Sequence, residues 1–208
     1  MKKLVIASNN PGKVREFQFL LQPINIEVLT QDALGIVEAE EPHNTFVENA
    51  LAKARHVSRL SGLPAMADDS GICVDALNGA PGVLSARYAG DNPQPDQRKP
   101  DQPKSDQRNN QKLLQDMRGV ENRRAHYYCV LVLLRHANDP QPLIAEGEWH
   151  GEIALQPAGD GGFGYDPLFW LAELSLTSAQ LGREQKQVLS HRGKAMRVLL
   201  DRLLNSSQ

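Results

Sequence analysis

Short apolar runs alternate along this chain with longer stretches of helical spacing, a pattern that predicts an α/β protein. Lys3 to Ala7 is a β-type run, Ser8-Asn9-Asn10-Pro11-Gly12 supplies turn residues, and Lys13 to Leu21 carries helical periodicity. The segment reads as strand, tight turn, helix. Thr45 and Glu48 have capping-box spacing, and Phe46, Val47, Ala50, Leu51, Ala54, Val57 and Leu60 mark an apolar arc ending at Gly62, which predicts a helix over 45–61. Pro64 to Ala67 leads into Asp68-Asp69-Ser70-Gly71, after which Ile72, Cys73 and Val74 resume the apolar pattern. Two strands meeting at an acidic corner are expected there. Further strands are expected over 125–134 and 143–149, and a last helix over 190–204, where Ala195, Val198, Leu199 and Leu203 repeat at helical spacing.

One stretch breaks the pattern. Asp91 to Arg108 holds Pro93, Pro95, Pro100 and Pro103, repeats Asp-Gln at 96, 101 and 106, and has almost nothing apolar. It cannot bury a core and is expected to be a mobile Pro/Gln-rich surface insertion.

Composition narrows the class. At 208 residues and 40% hydrophobic content the chain can bury a proper core, as one large domain or two small lobes. The formal net charge of -2 gives no global basic field for nucleic acid or anionic lipid, so phosphate recognition has to be local. Leu4 to Ala7 is too short for a signal-peptide core or a membrane span, and a cytoplasmic location is expected. Cys73 and Cys129 fit no metal-ligand spacing and read as reduced core residues.

Several segments carry candidate chemistry. Asn10-Pro11-Gly12-Lys13 opens a helix, where unpaired N–H groups, the positive dipole end and the lysine suit an anion, although an ordinary turn has the same composition. It is not a Walker loop, because Val14 follows Gly12-Lys13 and the upstream glycine is missing. Lys53 sits at the edge of the apolar arc, where it either snorkels to solvent or points into a cleft bordered by the helix. Glu38, Glu40 and Glu41 cluster just before that helix, as they would in a solvated acidic loop.

Asp68 and Asp69, pinned by a turn, repel one another unless a cation neutralises them, and oxygen ligands near phosphate suit Mg²⁺; a plain Asx turn is the alternative. A haloacid-dehalogenase arrangement would place its acidic residues two apart, which this segment does not. Gly159 to Gly164 formally matches the dinucleotide fingerprint G-x-G-x-x-G, but Tyr165-Asp166-Pro167 follows, and proline blocks the helix that fingerprint must open. A glycine loop presenting Phe163 is better suited to stack that ring on a nucleobase. Ser190 is a natural helix cap, and His191 with Arg192 offers directed donors for a carbonyl oxygen on a base edge.

Six segments occur in order: S-N-N-P-G-K at 8–13, F-V-E-N-A-L-A-K-A-R at 46–55, A-D-D-S-G at 67–71, G-A-P-G-V-L-S-A-R-Y at 79–88, G-G-F-G-Y-D-P at 161–167 and S-H-R at 190–192. Together they resemble the inosine/xanthosine triphosphate pyrophosphatase family over nearly the whole chain. The resemblance implies a homodimer with a long mixed β-sheet and flanking helices, its single domain forming two lobes around a central nucleotide cleft. It places the 8–13 segment, with Ser8, Asn9, Asn10, Pro11, Gly12 and Lys13, and also Lys53, on the triphosphate. Glu41 and Asp69 would hold Mg²⁺, with Asp68 beside them and Asp69 as general base. Ser70 would touch the substrate, while Phe163, Gly164, Tyr165, Asp166, Lys186, His191 and Arg192 would surround the base.

The implied reaction is cleavage of ITP, dITP or XTP to a monophosphate and pyrophosphate, by water that Asp69 deprotonates beside the metal. Such an enzyme keeps deaminated purines out of DNA and RNA. Selection would act on the 6-oxo edge that inosine and xanthine carry where adenine has an amino group. The chain departs from the family pattern at Asn9, where glycine is usual. It departs again at Ser175-Leu176-Thr177, where Gly-Lys-Thr is usual, and at Gln180 and Gln185, where glutamate is usual. A Maf-type nucleotide pyrophosphatase is the rival enzyme, disfavoured by the S-H-R and G-G-F-G-Y-D-P segments, and a non-catalytic nucleotide-binding regulator is the rival outside catalysis.

Overall fold

Among the described residues seven strands form one sheet in the order β2-β1-β3-β4-β5-β6-β7. They are β1 (Lys3–Ile6), β2 (Glu27–Thr30), β3 (Ala65–Val74), β4 (Arg124–Leu134), β5 (Leu143–Ile153), β6 (Phe169–Leu171) and β7 (Leu176–Thr177). The computed structural model describes residues 1–22, 26–90 and 105–205. The sheet is mixed: β1 runs parallel to β2 and β3, whereas β6 runs antiparallel to β5 and β7. Among the described residues five α-helices accompany it: α1 (Pro11–Leu21), α2 (Phe46–Ser61), α3 (Ser105–Asp116), α4 (Arg183–Leu189) and α5 (His191–Asn205).

The chain divides into two compact units, the first made of Met1–Ser70, Tyr128–Glu148 and Gln187–Gln208, the second of Gly71–Tyr127 and Trp149–Lys186. In the first, strand alternation sends odd and even residues to opposite faces. Leu4, Ile6, Met66, Leu131 and Leu133 pack with Phe17 and Leu21 of α1 and Ala195, Met196 and Leu199 of α5. Val5, Ala7, Ala65, Ala67, Val130 and Val132 pack with Ala50, Ala54 and Val57 of α2. Each fully buried Leu or Phe contributes about 1.5–3 kcal/mol, so the two layers hold α1, α2 and α5 firmly on the sheet. Gly147 of β5 permits the close approach of α5, since a side chain there would strike the α5 backbone at His191 and Ala195.

In the second unit, the rings of Tyr127, Trp149 and Phe169 form a cluster, with centroids 4.6 Å apart for Tyr127–Phe169 and 5.2 Å for Trp149–Phe169. Buried Asn109 of α3 ties down the 82–87 turn: its Oδ1 accepts from Ala89 N at 2.8 Å, and its Nδ2 donates to Ser85 O at 3.2 Å and Ala86 O at 3.1 Å.

The capping signals of α2 are realised. Thr45 is the N-cap and accepts from Glu48 N, and Gly62 ends the helix at φ 68°. Two expectations change. There is no corner at Asp68 to Gly71; β3 runs unbroken from Ala65 to Val74, because both aspartates are neutralised within the sheet layers and the strand has no reason to turn. The Pro/Gln stretch is also shorter than expected at its C-terminal end: Ser105 to Arg108 form the first turn of α3, with Asp106 at its positive end. The remainder of that stretch, 91–104, lies outside the described residues.

Candidate functional site

At the start of α1, Asn10 is the N-cap, its Oδ1 accepting from Gly12 N at 2.8 Å and Lys13 N at 3.2 Å, with Pro11 at the first helical position. The helix-end donors at Gly12 and Lys13 are thus engaged by Asn10 itself. Ser8 Oγ accepts from Asn10 N at 3.2 Å, and Asn9 Oδ1 accepts from the buried Gln31 Nε2 at 2.8 Å. Asn9 therefore has a local partner that a glycine would lack, and the 8–13 turn is held from both sides.

Lys13 reaches Asp68, with Nζ 2.9 Å from Oδ2. The Arg192 guanidinium of α5 lies 3.3 Å from the same Asp68 oxygen, 2.9 Å from Ser70 Oγ and 2.5 Å from Glu16 Oε2. Ser70 Oγ in turn donates to Asp68 Oδ2 at 3.0 Å. Burial alone would raise the Asp68 carboxyl, but Lys13, Arg192 and Lys53 outweigh it and hold the group well below the usual carboxylate range. Asp68 is thus an ionised anchor for two cations.

Asp69 belongs to a second group. Lys53 is 5% exposed, and its Nζ lies 2.7 Å from Glu41 Oε1 and 3.0 Å from Asp69 Oδ1. Of the two placements open to Lys53, the inward one is realised. Burial lowers the Lys53 pKa, but Asp69, Asp68 and Glu41 more than reverse that, so the ammonium stays charged. Burial pushes the Asp69 carboxyl above its ordinary value, with Lys53 and Lys13 opposing. Glu38 and Glu40 are exposed, as a solvated acidic loop would have them, whereas Glu41 leaves that loop for Lys53.

The Glu41 and Asp69 oxygens converge on one ammonium, so the pair already accommodates a positive charge. Among the described residues no group of three or more His, Cys, Asp or Glu side chains is arranged to hold a metal ion. Two convergent carboxylates suit Mg²⁺, which is commonly held by one or two carboxylates while waters and substrate phosphates complete its shell.

The second unit has its own cluster around the glycine loop. Asp166 Oδ2 accepts from Phe163 N at 2.8 Å and pairs with Lys186 Nζ, while Oδ1 accepts from Ser178 Oγ at 2.8 Å. Gly162, at φ 75°, leaves room for that carboxylate, which any side chain at 162 would strike. Lys186 Nζ stands 5.1 Å from the Phe163 ring centroid. Gly164 N donates to Asp106 Oδ2 at 2.7 Å, and Gly164 O accepts from Asn110 Nδ2 at 3.0 Å. The Tyr165 hydroxyl donates to Ser85 O at 2.8 Å, and burial raises its pKa. Only a single 3-10 turn, Asp166–Leu168, follows Gly164 before β6, and no α-helix opens there, in keeping with the rejection of the dinucleotide fingerprint.

The Ham1 family model matches residues 4–202 of this chain. The chain belongs to the Ham1 family. It is 59% identical over 203 residues to the dITP/XTP pyrophosphatase of Nitrosomonas europaea, covering 98% of this chain and 95% of the relative. It is 58% identical over 205 residues to the dITP/XTP pyrophosphatase of Ralstonia nicotianae, covering 98% and 97%. Among solved structures, a HAM1 protein from Coxiella burnetii superposes with a TM-score of 0.87 at 42% identity, covering 99% of this chain and all of that one. The Staphylococcus aureus Ham1 protein superposes at 0.82 with 36% identity over the full length of both chains.

In this Ham1-family chain the first unit gathers Ser8, Asn9, Asn10, Lys13, Glu41, Lys53, Asp68, Asp69, Ser70 and Arg192. The second gathers Phe163, Gly164, Tyr165, Asp166 and Lys186. His191, the first residue of α5, is buried, and Ser190 caps that helix by accepting from Gly193 N at 3.1 Å. Some departures from the family pattern fit their local structure, while nothing in the structure explains Leu176 or Gln185. Ser175 adopts φ 53°, the conformation a glycine would take there without strain, and Gln180 Oε1 accepts from Thr177 N at 2.9 Å, closing a capping box.

Sequence reasoning passed over Glu16, Gln31, Asn49, Asp106 and Ser178, each of which holds a predicted residue in place. Asp106 had a usable signal, an acidic residue in a helix's first turn. The others had none, because their partners lie far away in sequence.

Proposed function

We propose that this chain hydrolyses non-canonical purine nucleoside triphosphates, dITP, ITP and XTP, to the monophosphate and pyrophosphate, and so clears deaminated purines from the nucleotide pool. Family membership supports the reaction class. Within the first unit, one observation carries the chemistry: the half-buried Lys13 and the buried Lys53 are each paired to a carboxylate of one strand segment, and Asp69 shares Lys53 with Glu41. Cations already neutralised by carboxylates can be redirected to phosphate oxygens when a triphosphate arrives.

In this reading Lys13, with the Ser8 to Gly12 turn, binds the phosphate chain, and Lys53 joins it as substrate displaces it from Glu41 and Asp69. Those two carboxylates are the residues that would hold Mg²⁺, which when bound supplies positive charge against the carboxylates and the phosphate oxygens. Asp69 accepts the proton of the attacking water as that water adds to the α-phosphorus; its raised pKa makes it a better base than an ordinary surface carboxylate. Lys13 and Lys53 then offset the charge that builds on the departing pyrophosphate. Asp68, held ionised, fixes Lys13 and Arg192 without exchanging a proton, and Ser70 and His191 complete the surroundings of Arg192.

Within the second unit, Phe163 is proposed to stack on the purine ring, with Gly164, Tyr165, Asp166 and Lys186 shaping that platform. The working protein is proposed to be a homodimer in the cytoplasm. No helix among the described residues is long and apolar enough to cross a membrane.

A substrate panel with Mg²⁺, comprising ITP, XTP, dITP, GTP, ATP and modified pyrimidine triphosphates, tests the reading. Pyrophosphate release favouring the first three supports it. Turnover confined to ATP, or orthophosphate as the sole product, overturns it.

A further inference from the structure

Asn49 lies in the first turns of α2, is 1% exposed, and uses its carboxamide on two sides. Its Oδ1 accepts from His43 N at 3.1 Å, and its Nδ2 donates to His43 O at 3.2 Å and to Asp69 Oδ2 at 3.4 Å. A buried polar side chain inside a helix costs stability unless it is satisfied, and here every partner lies outside the helix. The pairing with His43 closes on both the N–H and the C=O of one residue, so it fixes the orientation of the backbone on both sides of His43 as well as its distance.

His43 belongs to an irregular segment between Ile36 and Thr45, and two residues earlier that segment carries Glu41. Glu41 has no strand or helix of its own to place it. Its contact with Lys53 restrains it, and so does the backbone held at His43, two residues on. Asp69 is oriented from two sides as well: Oδ1 faces Lys53 and Oδ2 faces Asn49. One asparagine therefore touches both the strand residue and the loop peptide that set the spacing of the two carboxylates.

We propose that Asn49 is a positioning residue for the divalent-metal site, holding the Glu41 segment against α2 and fixing the Asp69 carboxylate so that both present oxygens to one cation. The proposal rests on the reading of Glu41 and Asp69 as metal-holding carboxylates given above. Asparagine meets the geometry because it has one acceptor and two donors at the end of a short side chain. Aspartate at 49 would keep the acceptor for His43 N, lose both donors, and set a third carboxylate beside Asp69. Alanine would lose all three bonds.

The test uses Asn49→Asp, which has nearly the same shape, and Asn49→Ala. Mn²⁺ binding is followed by electron paramagnetic resonance in the presence of a non-hydrolysable dITP analogue. The Mg²⁺ dependence of pyrophosphate release is measured at saturating dITP, and circular dichroism and thermal melting without metal report folding. The expected result is a 10- to 100-fold weakening of Mn²⁺ binding, the range typical of residues that orient metal ligands, with a matching rise in the half-saturating Mg²⁺ concentration. The KM for dITP at saturating Mg²⁺ changes little.

Folded variants with wild-type Mn²⁺ binding and wild-type Mg²⁺ dependence overturn the proposal, whatever their melting temperatures. If Asn49→Ala fails to fold, Asn49→Asp decides alone; if it too fails to fold, Asn49 is a structural residue and the proposal is overturned. A wild-type protein that releases no pyrophosphate sinks the functional reading instead, a separate outcome from either variant result.

Discussion

Asp68 and Asp69 are neighbours in β3, yet each faces a different helix layer: Asp68 pairs with Lys13 of α1 and Arg192 of α5, and Asp69 with Lys53 of α2. The pleat of the strand makes the separation, since successive side chains leave a strand on opposite faces. Two adjacent carboxylates therefore do not compete for one cation, and their roles divide. Asp68→Asn should cost about 1.5–3 kcal/mol of stability, because it takes a charged partner from the half-buried Lys13 and from the buried Arg192, which keeps Glu16. Asp69→Asn should retain the fold, with Lys53 still held by Glu41, and lose about 100- to 10,000-fold in turnover, the contribution typical of a general base. Urea melts and steady-state kinetics on the two variants separate these signatures.

Lys53 occupies the point on which Glu41 and Asp69 converge. Replacing it in Lys53→Met leaves the buried Asp69 and the half-buried Glu41 carboxylates facing each other without the ammonium between them, and added Mg²⁺ should then substitute for it. Thermal melts with and without Mg²⁺ check this. The variant should gain about 2–4 °C for each ~1 kcal/mol of binding, and the wild-type protein less. An identical metal response in both proteins would show that the two carboxylates do not hold the ion.

Much of this layout is legible in the amino-acid order. The Thr45/Glu48 box and Gly62 delimit α2 because caps and left-handed glycines act locally. The apolar spacing from Ala195 to Leu203 likewise gives α5. The supposed corner at Asp68 to Gly71 fails for a physical reason: Asp, Ser and Gly are turn residues only while they are unsatisfied, and here Lys13, Lys53 and Arg192 satisfy the aspartates from three helices. β6 and β7 are too short to show a period. Asn49 and Glu16 look like ordinary polar positions on a helix until their partners, Asp69 and Arg192, are brought to them by the fold.

Ser175 is held at φ 53°, a region that costs a residue with a side chain about 1–2 kcal/mol and costs glycine little. Ser175→Gly should therefore raise stability by a fraction of that amount, since glycine also loosens the unfolded chain. Chemical denaturation checks it, and kcat for dITP should stay unchanged.

Asp139 supplies a pH-dependent contribution remote from the chemistry. Its carboxylate accepts from Arg135 Nε at 2.8 Å, from Arg135 N at 3.0 Å and from Gln141 N at 3.0 Å. The Arg135 hydrogen bonds, opposed by burial, hold its pKa well below the ordinary carboxylate value. A carboxyl depressed in the folded state stabilises the fold above its unfolded pKa of about 3.9 and loses that contribution as pH falls through the folded value. Asp139→Asn should thus be less stable than the wild type at pH 5 to 7 by a constant margin, and the margin should narrow as the pH is lowered below about 4. Thermal melts across that range measure it.

In this mechanism water adds to the α-phosphorus of a deaminated purine triphosphate. Hydrolysis of dITP in ¹⁸O-labelled water, with products resolved by ³¹P NMR, tests this most directly. Attack at the α-phosphorus gives pyrophosphate without label and one ¹⁸O in the monophosphate. Label in the pyrophosphate, or a diphosphate and orthophosphate as products, would contradict it.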